Sequence, residues 1–255
     1  MTANIRAATA LAIALALAVP ALALGAQVAS APGASAADGI SISVVGAPPP
    51  PVTGSFQAPN ACDDDNYSTI AGPWTKTLKW WYKSASTPSY LTTNGVVGKI
   101  KDSFDNMTGA HNDCGLLDTV SATAAYQGTT SASPNINKRG YCNPSDGKNV
   151  IGFGRLPAGI LAVTCIWTGS GGHIREADIR MNSNFDWELS PANCYYEELV
   201  EPTMTHEIGH AFGMGHVGEK KHGRLTMSTT SDGPCSNNES SLGWGDVRGM
   251  HHLYP

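Results

Sequence analysis

The chain has 255 residues, of which 41% are hydrophobic and 15% are charged, and its formal net charge is −5. This length is enough for one domain with a substantial core. The acidic balance excludes a protein that binds nucleic acid or an anionic membrane surface through basic charge.

The first 37 residues have the pattern of a secretory signal peptide. One arginine forms a short positive region, residues 8–24 are almost wholly apolar, and Ala34-Ser35-Ala36 is a small-residue cleavage site. We therefore predict a secreted, extracellular protein whose mature chain begins at Ala37 or Asp38. Cleavage after Ala26 is an alternative. An uncleaved membrane anchor is the competing interpretation, but the apolar run is short for a span.

Residues 38–60 are rich in proline and glycine and contain Pro48-Pro49-Pro50-Pro51. Successive prolines favour an extended polyproline II run and remove backbone donors. We predict a spacer over 38–60, followed by one folded domain over 61–255. The acidic cluster at 63–65 is interpreted as a solvated turn. Weak calcium binding is the alternative, although the spacing does not match a calcium-binding loop.

Six cysteines follow the signal segment: Cys62, Cys114, Cys142, Cys165, Cys194 and Cys235. An even number of cysteines behind an export signal predicts three disulfides. Their pairing stays open, although Cys194 and Cys235 flank the motif described below and are the favoured pair. A cysteine–zinc site is the competing interpretation, but the sequence has no Cys-x-x-Cys spacing.

The region between residues 77 and 182 alternates between strand, helix and turn patterns. Apolar residues at helical spacing predict a helix over 93–107, with Asn94 as its cap. Residues 130–146 are rich in turn formers and predict a loop. Strands are expected at 77–82, 119–126, 149–153, 160–167 and 174–181. This order predicts an α+β fold with a mixed, twisted sheet and two long helices.

A metal-binding pattern follows these elements. His206 and His210 are four residues apart, so on a helix they lie on one face and can bind a single zinc ion. Glu207 lies beside the first ligand and can reach a water held on that ion. Gly213 accepts the positive φ that lets the chain leave the helix, and His216 can then return as a third ligand. Three protein ligands leave one position open, as in a catalytic zinc site.

The helix that carries this pattern is expected to begin between Tyr196 and Pro202, since proline is accommodated in a first helical turn. Met204, Ile208 and Ala211 would form its inward face. The chain from 228 to 238 is irregular in pattern and is expected to be a loop.

The five residues of this motif match the metzincin zinc peptidases, and the chain resembles that family over 74–255. The resemblance implies a methionine turn, for which Met227 within Leu225-Thr226-Met227-Ser228 is the candidate. Residues 243–254 resemble the C-terminal helix of the matrixin branch. Residues 174–180 resemble the strand that precedes the active-site helix there.

The resemblance implies a zinc-dependent endopeptidase with one catalytic zinc ion. Glu207 would act as the catalytic general base toward a zinc-activated water and then pass the proton to the leaving amine. By the same resemblance, a protein or peptide substrate would lie extended along a sheet edge near Ile160–Trp167. We expect a monomer with no nucleic-acid partner and no membrane partner after signal cleavage.

Two other functions remain open at the level of sequence. One is a secreted binding or adhesion protein that keeps the fold and the zinc but does not hydrolyse peptides. The other is hydrolysis of a non-peptide amide. The segment before the domain is short, and none of the cysteines resembles the inhibitory switch of matrixin propeptides, so we expect at most a small latency peptide.

Overall fold

The computed structural model describes residues 39–46 and 60–255, with side chains from residue 60 onward. The predicted signal peptide at 1–37 and the proline run at 48–51 lie outside these residues. The helices are α1 (Thr93–Thr108), α2 (Val200–Ala211), α3 (Glu219–His222) and α4 (Trp244–Leu253). The strands are β1 (Gly39–Gly46), β2 (Ser68–Thr69), β3 (Leu78–Tyr82), β4 (Ala124–Thr129), β5 (Asn149–Gly154), β6 (Ile160–Thr168), β7 (Ile174–Asn182), β8 (Trp187–Glu188), β9 (Glu198–Leu199) and β10 (Met214–Gly215).

Six of these strands form one mixed sheet in the order β1-β6-β7-β5-β3-β4. Strands β4, β3, β5 and β7 run parallel to one another, whereas β6 is antiparallel to both β7 and β1. Two short ribbons, β2 with β10 and β8 with β9, lie outside this sheet. The predicted α+β fold with a mixed sheet is confirmed.

The strands expected between 77 and 182 correspond to β3 through β7. Strand β4 starts at Ala124, later than the expected 119, because Ser121 N donates to Tyr254 O at the C-terminus and not to a neighbouring strand. The cap expected at Asn94 is also wrong. Helix α1 is capped by Thr92, whose side chain accepts a hydrogen bond from Gly95 N.

Strand β1 was not expected, because Gly39–Gly46 falls within the predicted spacer. It pairs antiparallel with β6 from Gly39 opposite Thr168 to Val45 opposite Ala162. Strand β6 is therefore second in the sheet, and the expectation that it forms the exposed edge is wrong. The physical reason is that the free backbone groups of an edge strand pair with any extended segment that reaches them.

Helices α1 and α2 pack against each other over the core of the sheet. Apolar side chains at helical spacing on α1, including Ile100 and Phe104, are buried, and Phe104 stacks on Trp80 of β3 with ring centroids 4.8 Å apart. Burial of each such side chain contributes about 1.5–3 kcal/mol. An ion pair adds specificity to the packing of the two helices. Lys99 Nζ of α1 lies 2.8 Å from a Glu201 carboxylate oxygen at the start of α2.

Three disulfides stabilise the domain and confirm the prediction from the cysteine count. They join Cys62 to Cys114, Cys142 to Cys165, and Cys194 to Cys235. The favoured pair, Cys194–Cys235, is thus also confirmed. Three disulfides indicate an oxidising, extracellular location. Among the described residues, a helix with the length and apolar character needed to span a bilayer is not found.

Candidate metal centre

Helix α2 carries the first two histidines and ends where the third must return. It begins at Val200, within the expected range, and Pro202 lies in its first turn. Met204 and Ile208 face the core, as expected. The helix ends at Ala211, and Gly213 has a φ of +98°. A Cβ at Gly213 would lie 3.0 Å from Ala71 O, so both conformation and space require glycine there.

The three predicted ligands converge. The Nε2 atom of His206 lies 2.8 Å from that of His210, and His216 Nε2 lies 3.1 Å from both. His206 and His210 are buried, and His216 is partly buried. This triad can therefore hold a metal ion.

Hydrogen bonds to backbone carbonyls orient two of the rings. His206 Nδ1 lies 2.6 Å from Thr226 O, and His210 Nδ1 lies 2.9 Å from Met214 O. A carbonyl only accepts, so each Nδ1 carries the proton and each Nε2 presents its lone pair to the centre of the triad. Carbonyl partners of this kind fix the tautomer of metal-binding histidines.

The electrostatics of the triad favour neutral imidazoles. Burial is the main reason that the pKa of His206 falls to about 3 and that of His216 to about 4. Burial also lowers the pKa of His210 well below its usual value, with a further contribution from the two neighbouring histidines. Three unprotonated nitrogens that face one another repel, and a cation among them removes this repulsion. The donor set therefore fits zinc or a similar transition metal.

Glu207 is completely buried next to the triad. Its Oε2 accepts a hydrogen bond from Thr164 Oγ1 of β6, and its Oε1 has no hydrogen-bond partner among the described residues. Burial raises the pKa of Glu207 to about 8, and the bond from Thr164 opposes this shift. A buried oxygen without a partner costs about 1–3 kcal/mol, so Oε1 is the atom available to a water or substrate.

Met227 packs against α2 at Gly209, which stands between the candidate ligands His206 and His210 in the sequence. It is completely buried, and a Cβ at Gly209 would lie only 2.4 Å from the Met227 sulfur. Any larger residue at 209 would displace the methionine or the helix. The sequence did contain a signal for this contact, because a glycine inside a helical pattern indicates close packing.

The turn before Met227 is held by a buried carboxylate that sequence reasoning missed. Asp246, in the first turn of α4, accepts hydrogen bonds from Thr226 N at 2.8 Å, Met227 N at 3.2 Å and Gly243 N at 3.0 Å. Thr226 O is in turn the acceptor for His206. Asp246 thus positions a candidate metal ligand through the backbone of one residue.

The acidic cluster considered for calcium is engaged by other side chains. Asp64 accepts from His222 Nδ1 at 2.8 Å, and Asp65 pairs with Arg248. These two carboxylates therefore point to different partners. Cys194, Glu197 and Cys235 also lie close together, but both cysteines are in a disulfide and offer no thiolate to a metal.

No protein-family model matches the chain, and no curated protein has a significantly similar sequence. The function is therefore inferred from the chain's own residues.

Proposed function

We propose that the chain is a secreted, zinc-dependent endopeptidase of the metzincin type, similar to the matrixins. The observation that carries this proposal is the convergence of three histidine Nε2 atoms within 3.1 Å of one another, beside a buried glutamate. The α+β fold with a mixed sheet, a helix that carries two of the histidines and a buried methionine below them is compatible with it.

His206, His210 and His216 would hold the zinc ion, and the histidine-only donor set suits it. When bound with three protein ligands, zinc supplies Lewis acidity that polarises a carbonyl and lowers the pKa of water. Thr226 O and Met214 O keep the first two rings in the tautomer that such binding needs.

Glu207 supplies the acid–base chemistry. A nearby cation favours its ionised form and so opposes the effect of burial on its pKa. Its Oε1 accepts a proton from the attacking water and later donates it to the nitrogen of the leaving amine. The C–N bond breaks, and the products are a carboxylic acid and an amine. Thr164 holds Oε2, which leaves Oε1 as the proton carrier.

Met227 and Asp246 would take no part in bond breaking. Met227 fills the space below the ligands, where Gly209 admits its sulfur. Asp246 fixes the turn whose carbonyl orients His206. Both are positioning residues, and their loss would weaken metal binding.

The proposal is tested with the purified chain and a mixture of unstructured peptides. We expect cleavage that stops when phenanthroline removes the metal and returns when zinc is added. Glu207→Gln should still bind zinc but cleave about 10²–10⁴ times more slowly. Asp102→Asn, an exposed change on α1, is the matched control and should cleave normally.

Two outcomes would contradict the proposal. Cleavage that Glu207→Gln retains would remove the assigned base. A chain that binds zinc at one ion per molecule but cuts none of the peptides, with residues 39–46 present or removed, would favour the binding or adhesion protein instead.

A further inference from the structure

One of the two outer strands of the sheet, β1, comes from the segment that precedes the domain. Strand β1 pairs with β6 on the side that faces away from β7. We propose that residues 39–46 are an intramolecular occupant of the peptide-binding edge, which a substrate must displace or which proteolysis must remove. As a statement about hydrolysis, this inference rests on the proposed function.

The pairing is long and regular. It runs without interruption from Gly39 to Val45, and its register shifts only between Val45 and Gly46. An added strand of this length occupies the backbone donors and acceptors that an extended peptide would otherwise use. The orientation is antiparallel, so β1 and β6 form the kind of ladder that an added peptide strand forms with a sheet edge.

The occupied part of β6 adjoins the candidate metal centre. Ser43 lies opposite Thr164 in the register, and the Thr164 hydroxyl contacts Glu207. The Cα atoms of β1 and α2 approach within 8 Å of each other. The middle of β1 therefore passes beside the residue assigned as the general base, and not along a remote part of the sheet.

The sequence of β1 suits a removable strand. Ile40-Ser41-Ile42-Ser43-Val44 alternates apolar and hydroxyl side chains and carries no charge, so it resembles a peptide that adds to an edge. In the sequence, four prolines at 48–51 begin two residues after the last residue of β1, and proline has no N–H group to donate to a ladder. All cysteines lie at 62 or later, so no disulfide ties β1 to the domain.

Attachment in the same chain makes β1 an effective competitor. A segment on a short linker has an effective concentration near the millimolar range at its site. A peptide substrate must compete with that local concentration. Removal of β1 should therefore lower the KM for peptides by about tenfold or more while the kcat changes little. If β1 were only a structural strand, its removal would lower activity and stability.

Two adjacent substitutions in the full, zinc-loaded chain test the pairing. In an antiparallel pair, successive residues direct their N–H groups alternately toward and away from the partner. Of Ile42→Pro and Ser43→Pro, one therefore removes a donor to β6, and the other serves as its matched control, since proline is tolerated on an outer edge. We expect faster hydrogen exchange at β6 amides and a lower KM in one variant, with near-native values in the other. Native exchange and native KM in both variants would overturn the proposal.

A cleavable form gives a second measurement. A recognition sequence for a site-specific protease replaces residues 53–57, and the folded protein is cut and washed free of its N-terminal piece. We expect faster exchange of β6 amides and a KM lower by about tenfold, and a synthetic peptide with the sequence of residues 39–46 should inhibit the cut form. Equal KM and equal exchange before and after cutting would overturn the inference.

These readouts separate the inference from the proposed function. If removal of β1 speeds hydrogen exchange at the β6 amides but no form of the chain cleaves any peptide, β1 does occupy the sheet edge and the proposed peptidase is rejected. Full peptidase activity in the uncut chain, with β6 amides already in fast exchange, would retain the peptidase and reject the occupancy.

Discussion

The two sides of the candidate site are held by different kinds of interaction. On one side, α2 and the turns after it are fixed by bonds from particular side chains, such as His206 to Thr226 O and Asp246 to three backbone donors. On the other side, β1 is aligned on β6 by backbone pairing. The first arrangement is specific to its residues, whereas the second accepts many sequences. This difference would suit the proposed peptidase, in which the metal ligands stay in place while the bound peptide changes.

The largest effect should follow from the loss of one candidate metal ligand. The binding free energy of zinc in small domains is about 10–16 kcal/mol, and several ligands share it. Loss of one ligand should therefore weaken zinc binding by about a thousandfold or more. We expect His210→Ala to show this loss in competition with a chromophoric chelator. His173→Ala is the control, because His173 lies outside the triad, near Pro73 O. Native affinity in His210→Ala would reject the site.

Each side of the site has one disulfide, and removal of that disulfide measures how much the cross-link stabilises the side. Cys194–Cys235 closes a separation of 41 residues around α2, and Cys142–Cys165 closes 23 residues at β6. In the chain-entropy model, loss of the first costs about 4 kcal/mol and loss of the second about 3.5 kcal/mol. Double Cys→Ser variants of each pair, unfolded in urea, should show costs of this size. A near-zero cost for either pair would show that strain in the folded state offsets the loop entropy.

The next largest effect should follow from removal of the buried Asp246 carboxylate, which holds the turn before Met227. Asp246→Ala leaves three backbone donors without their acceptor, and we expect a loss of about 3 kcal/mol in the free energy of unfolding. Asp246→Asn keeps one acceptor oxygen and should lose less. Urea titration measures both, and equal stability of the alanine variant and the native chain would contradict the assigned role.

Acid should destabilise the metal-free chain through the triad. The pKa of His216 falls from 6.5 to about 4 on folding, mainly because of burial. Between these values the unfolded state binds more protons, so stability is lost as pH falls from about 6.5 toward 4. The loss is at most about 3 kcal/mol for this residue. His216→Gln removes this contribution and also the lowering that His216 exerts on the pKa of His206 and His210, so the variant should lose less stability over the same pH range. Identical pH dependence in the two would contradict the prediction.

The smallest effect concerns the residue that joins the two sides. Thr164 lies on β6 opposite β1, and its hydroxyl contacts Glu207. We expect Thr164→Val to lower kcat about tenfold, in line with one lost hydrogen bond, while KM and zinc affinity stay near native values. Thr164→Ser should restore kcat. A change in KM alone would assign Thr164 to the peptide edge and not to the base.

Much of the fold followed from local patterns. Strands β3 and β5 to β7 lie close to their expected ranges, because apolar runs bounded by turn residues report burial directly. The start of β4 and the cap of α1 were misplaced, since the first depends on a bond from Ser121 to the distant Tyr254 and the second on which of two neighbouring polar residues reaches the helix. Boundaries of this kind depend on tertiary contacts.

The amino-acid sequence by itself determined which residues form the candidate centre. The spacing of three histidines, one glutamate and one glycine along a helix and its exit leaves few geometries, because helical periodicity and glycine's freedom are local properties. Only the tertiary structure decided which groups surround that centre. Thr164 and Asp246 reach it from elements far along the chain, and β1 takes the sheet edge through backbone bonds. Such bonds are nearly independent of side-chain identity, so the sequence carries little record of them.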